Sequence, residues 1–213
     1  MFSWLSLGGK CRYCHKPISV QYPLVELLTA VLFVGCYLTW PVEITGVQAV
    51  IFGCWLVVLT GFVALTIYDL KWMLLPNRII YPLTGVAALS AISSVLSSHH
   101  LAHALLDVAL AVAIASGIFY LLFQLSQGRW IGGGDVKLGW ILGLIVGTPA
   151  KAALTIFLAS LAGSLIAVPL LLSGKMKRES TVPFGPFLIL GGVIAVLWGS
   201  DILHWYQTTF IQL

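Results

Sequence analysis

Two carboxyl side chains stand where a carboxyl is costly. Asp135 closes the glycine run of Trp130-Ile131-Gly132-Gly133-Gly134-Asp135-Val136-Lys137, and Asp69 lies in Thr66-Ile67-Tyr68-Asp69-Leu70-Lys71; each falls at the edge of an apolar stretch. Ionisable groups in or beside membrane segments are expensive and mark functional sites. Two acids brought together share a proton, so one can serve as general base for a water while the other acts as general acid. Gly132 and Gly134 lack the Cβ that keeps a second backbone at a distance, so an extended peptide can lie alongside Asp135. Blander readings exist for each acid. A glycine-rich turn ending in Asp also caps helices, and an interfacial Asp69 can cap a helix end or pair with Lys71 or Arg78. Two acids at the ends of separate segments, with glycines beside one of them, favour a catalytic pair. The serines lack a convergent histidine and acid, and His99, His100 and His103 cluster toward the opposite face, so no rival hydrolytic set is evident.

Such a pair needs a scaffold that holds both acids at one face. With 60% hydrophobic and 8% charged residues, this 213-residue chain cannot cover a soluble globule with polar surface. It reads as an all-α, polytopic integral membrane protein in contact with lipid. A net charge of +4 spread over loops leaves no footprint for nucleic acid. Measured against the roughly 20 residues that a spanning helix needs, the apolar runs predict seven membrane segments. They cover residues 22–40, 45–68, 79–96, 101–125, 136–148, 150–172 and 184–202, the fifth being short. The first seven residues are uncharged and run into Gly8-Gly9-Lys10, without the features of a cleavable signal.

Cations set the orientation. With seven crossings, Lys10, Arg12, Lys16, Lys71, Arg78, Arg129, Lys137, Lys175, Lys177 and Arg178 fall on one side and Lys151 alone on the other. The positive-inside rule makes the crowded side the cytoplasm. The N-terminus is then expected inside, the C-terminus outside and both acids at the cytoplasmic face. Ala159 and Gly163, at a small-xxx-small spacing, suit close helix packing.

Four stretches in order resemble the type IV prepilin peptidases, the Gly-x-Gly-Asp membrane aspartic peptidases. They are Tyr22-Pro23-Leu24-Val25-Glu26-Leu27-Leu28-Thr29-Ala30; Asp69 followed by Leu74-Leu75-Pro76-Asn77; Gly132-Gly133-Gly134-Asp135-Val136-Lys137-Leu138; and Val182-Pro183-Phe184-Gly185-Pro186-Phe187. The resemblance implies a bacterial inner-membrane endopeptidase that removes the leader from prepilins or pseudopilins of type IV pilus or type II secretion systems. It implies Asp69 and Asp135 as the catalytic acids, with no cofactor needed for cleavage. Many members carry further acids just after the first one and after Leu-Pro, where this chain has Lys71 and Asn77.

Members also usually begin with one more membrane helix and a cytosolic domain whose two Cys-x-x-Cys pairs bind zinc, and they N-methylate the product. Against that pattern this chain opens before a single pair, Cys11-Arg12-Tyr13-Cys14. The expectation is a short N-terminal member, with residues 1–21 a cytosolic remnant and 22–213 the peptidase domain. Cys11 and Cys14 supply half of the roughly four ligands of a tetrahedral zinc site. S-adenosylmethionine is a cofactor only if methyl transfer is retained. Cys11-Arg12-Tyr13-Cys14-His15 also fits a haem-attachment pattern, but the surrounding cations put it inside. Cys36 and Cys54 read as packing residues. Glu26 and Asp107 lie in or near membrane segments; Glu26 is a candidate for the lining of the substrate cleft, and neither is read as a catalyst. A second class of function is a non-catalytic membrane protein in which the acids form an ion path or a structural pair.

Overall fold

The computed structural model describes residues 2–174 and 182–211 of the chain. The basic group Lys175, Lys177 and Arg178, used above to read orientation, lies outside the described residues. These form α1 (Phe2–Ser6), α2 (Gln21–Leu38), α3 (Val47–Trp72), α4 (Asn77–Leu96), α5 (Leu101–Ser126), α6 (Gly133–Val146), α7 (Pro149–Leu172) and α8 (Gly185–Tyr206). A π-helical turn, Gln207–Ile211, extends the last helix. Two compact bodies result, Met1–Trp40 and Pro41–Leu213.

The first body joins the short α1 to α2 through a tight knuckle. The Cys11 N–H donates to the Lys16 carbonyl at 2.9 Å and the His15 N–H to the Cys11 carbonyl at 3.0 Å, with His15 in a left-handed conformation at φ 51°. The Trp4 indole N–H donates to the Ile18 carbonyl at 3.1 Å and pins α1 to the knuckle.

The second body is a helical bundle built around α3. Trp55, Val58, Leu59, Phe62 and Leu65 of that helix are buried. Its outward faces carry Leu, Ile, Val and Phe side chains in numbers that no soluble protein leaves uncovered. Six helices of the chain, α2, α3, α4, α5, α7 and α8, are long and apolar enough to cross a membrane. Helix α6, at 14 residues, is about 21 Å long at 1.5 Å per residue, less than the hydrocarbon core. It still runs the depth of the bundle. Its first turn meets the start of α4 through Lys137 and Asn77. Its last residue borders a cavity shared with Ile51, Ser98, Asp107 and Lys151, which lie at the other ends of their helices. Helix α7 then returns, and α8 begins beside Asp69. The short fifth segment thus runs from one end of the bundle to the other, but it is not among the six helices long enough to cross a membrane.

Apolar burial gives no preference among partners when the surroundings are themselves apolar, so close backbone approach must hold these helices together. Helices α5 and α6 achieve it through glycine. A Cβ on Gly139 would collide with the Ala115 carbonyl and lie 2.9 Å from Ser116 Cα; one on Gly143 would lie 2.5 Å from Val112 Cα. Helices α7 and α8 repeat the device, with Gly191 against Thr155 and the buried Ala159. Gly163, the other half of the spacing read from sequence, makes only ordinary contact with Phe187 at 3.5 Å.

Replacing Gly139 by Leu must force α5 and α6 apart. Overpacking of this kind costs about 1–3 kcal/mol, so the variant should unfold at lower temperature or denaturant in detergent. Gly117→Leu is the control, because a Cβ there meets nothing within 4 Å. Equal stability of the two variants would refute the close contact.

Candidate active site

Asp69 occupies the last turn of α3. The helix stops because Met73 takes a left-handed conformation, φ 51°, and returns its N–H to the Asp69 carbonyl at 2.8 Å. The Asp69 side chain is buried, 6% exposed, and its Oδ2 accepts a hydrogen bond from the backbone N–H of Gly185 at 3.1 Å. Gly185 is the first residue of α8, where a backbone N–H has no partner within its own helix. A Cβ on Gly185 would sit 2.6 Å from that carboxyl oxygen, so the contact requires glycine. Phe184 fixes the approach, its ring 5.7 Å from that of Phe119 on α5.

Asp135 comes from another direction. Helix α6 begins at Gly133 after an extended Gly132, so two of the glycines form the first helical turn and Asp135 is its third residue. The Asp135 side chain is not the N-cap, and the N-cap residue Gly132 makes no side-chain hydrogen bond. Asp135 therefore does not occupy the capping position itself, though its carboxyl reaches back to the Gly132 backbone. The turn is pinned from two sides: Ser116 Oγ of α5 donates to the Val136 carbonyl at 2.9 Å, and Lys137 Nζ donates to Asn77 Oδ1 at 2.8 Å while lying 5.6 Å from the Tyr81 ring centre. A Cβ on Gly134 would lie 3.0 Å from Leu75, in the short link between α3 and α4. The segment that follows Asp69 thus rests directly on the residue that precedes Asp135.

The charge of Asp69 reaches the Asp135 carboxyl. Burial, and next the charge of Asp69, push the Asp135 carboxyl up to about 6, against the pull of the Gly132 backbone. This is the electrostatic condition for a pair that holds one proton between two acids.

Other residues read from the sequence fall elsewhere. Gly132 is exposed beside Asp135, where a Cβ would make ordinary contact with the carboxyl oxygen at 3.8 Å, whereas the space at Gly134 is taken by Leu75. Asp107 lies at the far end of the bundle, with Ser98 and Lys151 around a cavity of about 310 Å³. Glu26 is exposed on α2 of the first body. Cys11 and Cys14 are free thiols of the same body. The Cys11 thiol is held below its usual range by the backbone N–H of Cys14, then that of Tyr13, and by the Cys14 side chain. Among the described residues no group of three or more His, Cys, Asp or Glu side chains is placed to hold a metal. Two thiols alone do not complete a zinc site, so no chemistry is routed through one.

Gly185, Ser116 and Asn77 had no assigned role in the sequence. For Gly185 a signal was present, a glycine just before a proline at a predicted helix start. The pairing with Asp69, 116 residues away, exists only in three dimensions.

The Type IV leader peptidase family matches residues 51–168, which include both acids, and the Bacterial Peptidase A24 N-terminal domain matches residues 1–40. A prepilin leader peptidase/N-methyltransferase of Aeromonas hydrophila is 37% identical over 217 residues, covering 99% of this chain and 70% of that protein. A protein of the same description from Xanthomonas campestris pv. campestris is 34% identical, covering 97% of this chain and 69% of its own length. One from Bacillus subtilis is 31% identical, covering 97% and 77%. No solved structure matches. The chain belongs to the Type IV leader peptidase family.

Proposed function

We propose that this protein cleaves the leader peptide from type IV prepilins or pseudopilins, using Asp69 and Asp135 as an aspartic dyad at the cytoplasmic face of the bacterial inner membrane. The observation that carries this reading is the convergence of two carboxyls from separate helices, α3 and α6, at one end of the bundle, with the charge of one felt by the other. Water attacks the scissile carbonyl and gives a proton to the ionised carboxyl, while the protonated carboxyl donates to the carbonyl oxygen. The tetrahedral intermediate then collapses, the C–N bond breaks and the leaving amine takes a proton from the pair. Cleavage in this scheme consumes only water. S-adenosylmethionine would serve as methyl donor only where the N-methyl transfer in the relatives' names is retained.

Gly132 is the glycine that leaves room for a peptide beside Asp135. Gly134 serves in addition to seat Leu75. Residues 22–213 form the peptidase domain in this reading and residues 1–21 a cytosolic segment. Lys71 and Arg78, which flank the α3–α4 link, and Arg129 and Lys137, which flank the start of α6, mark the carboxyl end as cytoplasmic, with Lys151 at the other end. The N-terminus is then cytoplasmic and the C-terminus periplasmic.

Asp69→Asn and Asp135→Asn should each abolish processing of a co-expressed prepilin-type substrate while the protein stays in the membrane. General acid–base roles are worth about 10²–10⁴ in rate. Members of one catalytic unit are not additive, so the double variant should be little worse than either single. Substantial processing by either Asn variant would overturn the dyad. Gly132→Val should raise KM or block cleavage, since a branched side chain would fill the approach to Asp135.

The pH dependence follows from the pair. Cleavage needs one shared proton, and the carboxyl pushed up to about 6 is the one that loses it last. Activity of the purified enzyme in lipid should therefore fall as pH rises through about 6. A rate still climbing at that pH would contradict the shared proton. For orientation, reporter fusions after Ser98 and at the C-terminus should both report the periplasm. A cytoplasmic C-terminus would overturn the seven-crossing path.

A further inference from the structure

Among the features the proposed chemistry leaves unused, the start of α8 carries the most. This inference rests on the reading of Asp69 and Asp135 as the catalytic pair and assigns their separate roles. We infer that the backbone N–H of Gly185 is a positioning group that holds Asp69 as the ionised, proton-accepting member of the pair, which leaves Asp135 as the proton donor.

The geometry is one-sided. Asp69 Oδ2 lies 3.1 Å from the Gly185 nitrogen in a buried contact. A backbone N–H donated to a carboxyl stabilises its charged form. That N–H is the first of a 22-residue helix, whose N-terminal end carries a partial positive charge. Pro186 follows and has no N–H to compete for the oxygen. The absent Cβ at residue 185 lets the helix end come this close.

Asp135 also stands in a first helical turn and receives a contribution from the Gly132 backbone, so the two acids are not opposites. Burial works against the charged form of both acids, and the charge of Asp69 acts on Asp135 in addition. Neighbouring cations do not reverse the order. Lys137 is taken up by Asn77 and Tyr81, Lys71 lies 5.5 Å from the Trp72 ring centre, and the Arg129 Nε–H donates to the Ser126 carbonyl. Arg78 is exposed at the start of α4.

In the reaction this fixes the path of each proton. Asp69 accepts a proton from the attacking water, and Asp135 gives its own to the scissile carbonyl oxygen. As the C–N bond breaks, the proton on Asp69 passes to the amine and Asp135 recovers one from the collapsing hydroxyl.

Active-site esterification of the wild-type full chain in lipid tests the assignment without relying on turnover. An aryl-alkyl epoxide is opened by an ionised carboxylate: the carboxylate oxygen bonds to a ring carbon, the ring C–O bond breaks, and the freed oxygen takes a proton. Peptide mass mapping should find the ester mainly on Asp69, on the order of 10-fold over Asp135. An ester mainly on Asp135, equal labelling, or labelling of neither overturns the assignment.

Gly185→Ala should lower kcat on the order of 10²-fold, with KM nearly unchanged, and should abolish the labelling preference for Asp69. Wild-type kcat in that variant also overturns the inference. Should the variant fail to insert, labelling of the wild-type chain still decides. Failure of the dyad itself is separate, since it appears as processing by Asp69→Asn or Asp135→Asn.

Discussion

Two carboxyls in a poorly hydrated site cannot both ionise cheaply, and the carboxyl end of this bundle is arranged around that constraint. Asp69 is buried and bonded to the start of α8, while Asp135 is held up by burial and by the Asp69 charge. The repulsion that makes the pair costly is also what would keep a proton on it up to about pH 6. A single acid in either place would be an interfacial charge of the ordinary kind. In the proposed dyad the chemistry comes from the coupling, so the fold's task is to keep two helix ends in register.

That register is set by contacts made without side-chain bulk. Gly139 and Gly143 let α6 lie against α5, Gly134 seats Leu75 of the α3–α4 link, and Gly185 brings α8 onto Asp69. The far side is backbone at Gly139 and Gly143, a carboxyl at Gly185 and the Leu75 side chain at Gly134. In an apolar solvent, shape and hydrogen bonds take over the ordering that the hydrophobic effect supplies in water. The polar pins agree with this division. Ser116 to Val136 and Lys137 to Asn77 both fall within two residues of Asp135, at the end where alignment matters most.

Much of this was legible in the sequence, and the misses have physical causes. Spans predicted over residues 45–68 and 101–125 correspond to Val47–Trp72 and Leu101–Ser126, because apolar length dominates the signal in a membrane helix. The ends were harder. Helix α3 runs on through Lys71 and Trp72, so Asp69 lies inside its last turn, where polar residues mask the boundary. Helix α6 begins at Gly133, before the apolar run, because a helix's first turn tolerates glycine and its N–H groups need no intrahelical partner. The two acids could be singled out because a carboxyl beside a membrane segment is rare. The partner of each could not. Gly185 meets Asp69 only because α7 returns to the carboxyl end, and no local pattern encodes that return.

The central claim is the electrostatic coupling of Asp69 with Asp135, and it can be measured without a substrate. Infrared difference spectra of the protein in lipid, with isotope-labelled aspartate, follow the protonated carboxyl of Asp135 as pH is raised. The account predicts a midpoint near 6 in the wild-type protein. In Asp69→Asn the midpoint should be lower, because a negative neighbour that disfavours ionisation has been removed. An unchanged midpoint in that variant would show that the two acids do not act as a pair.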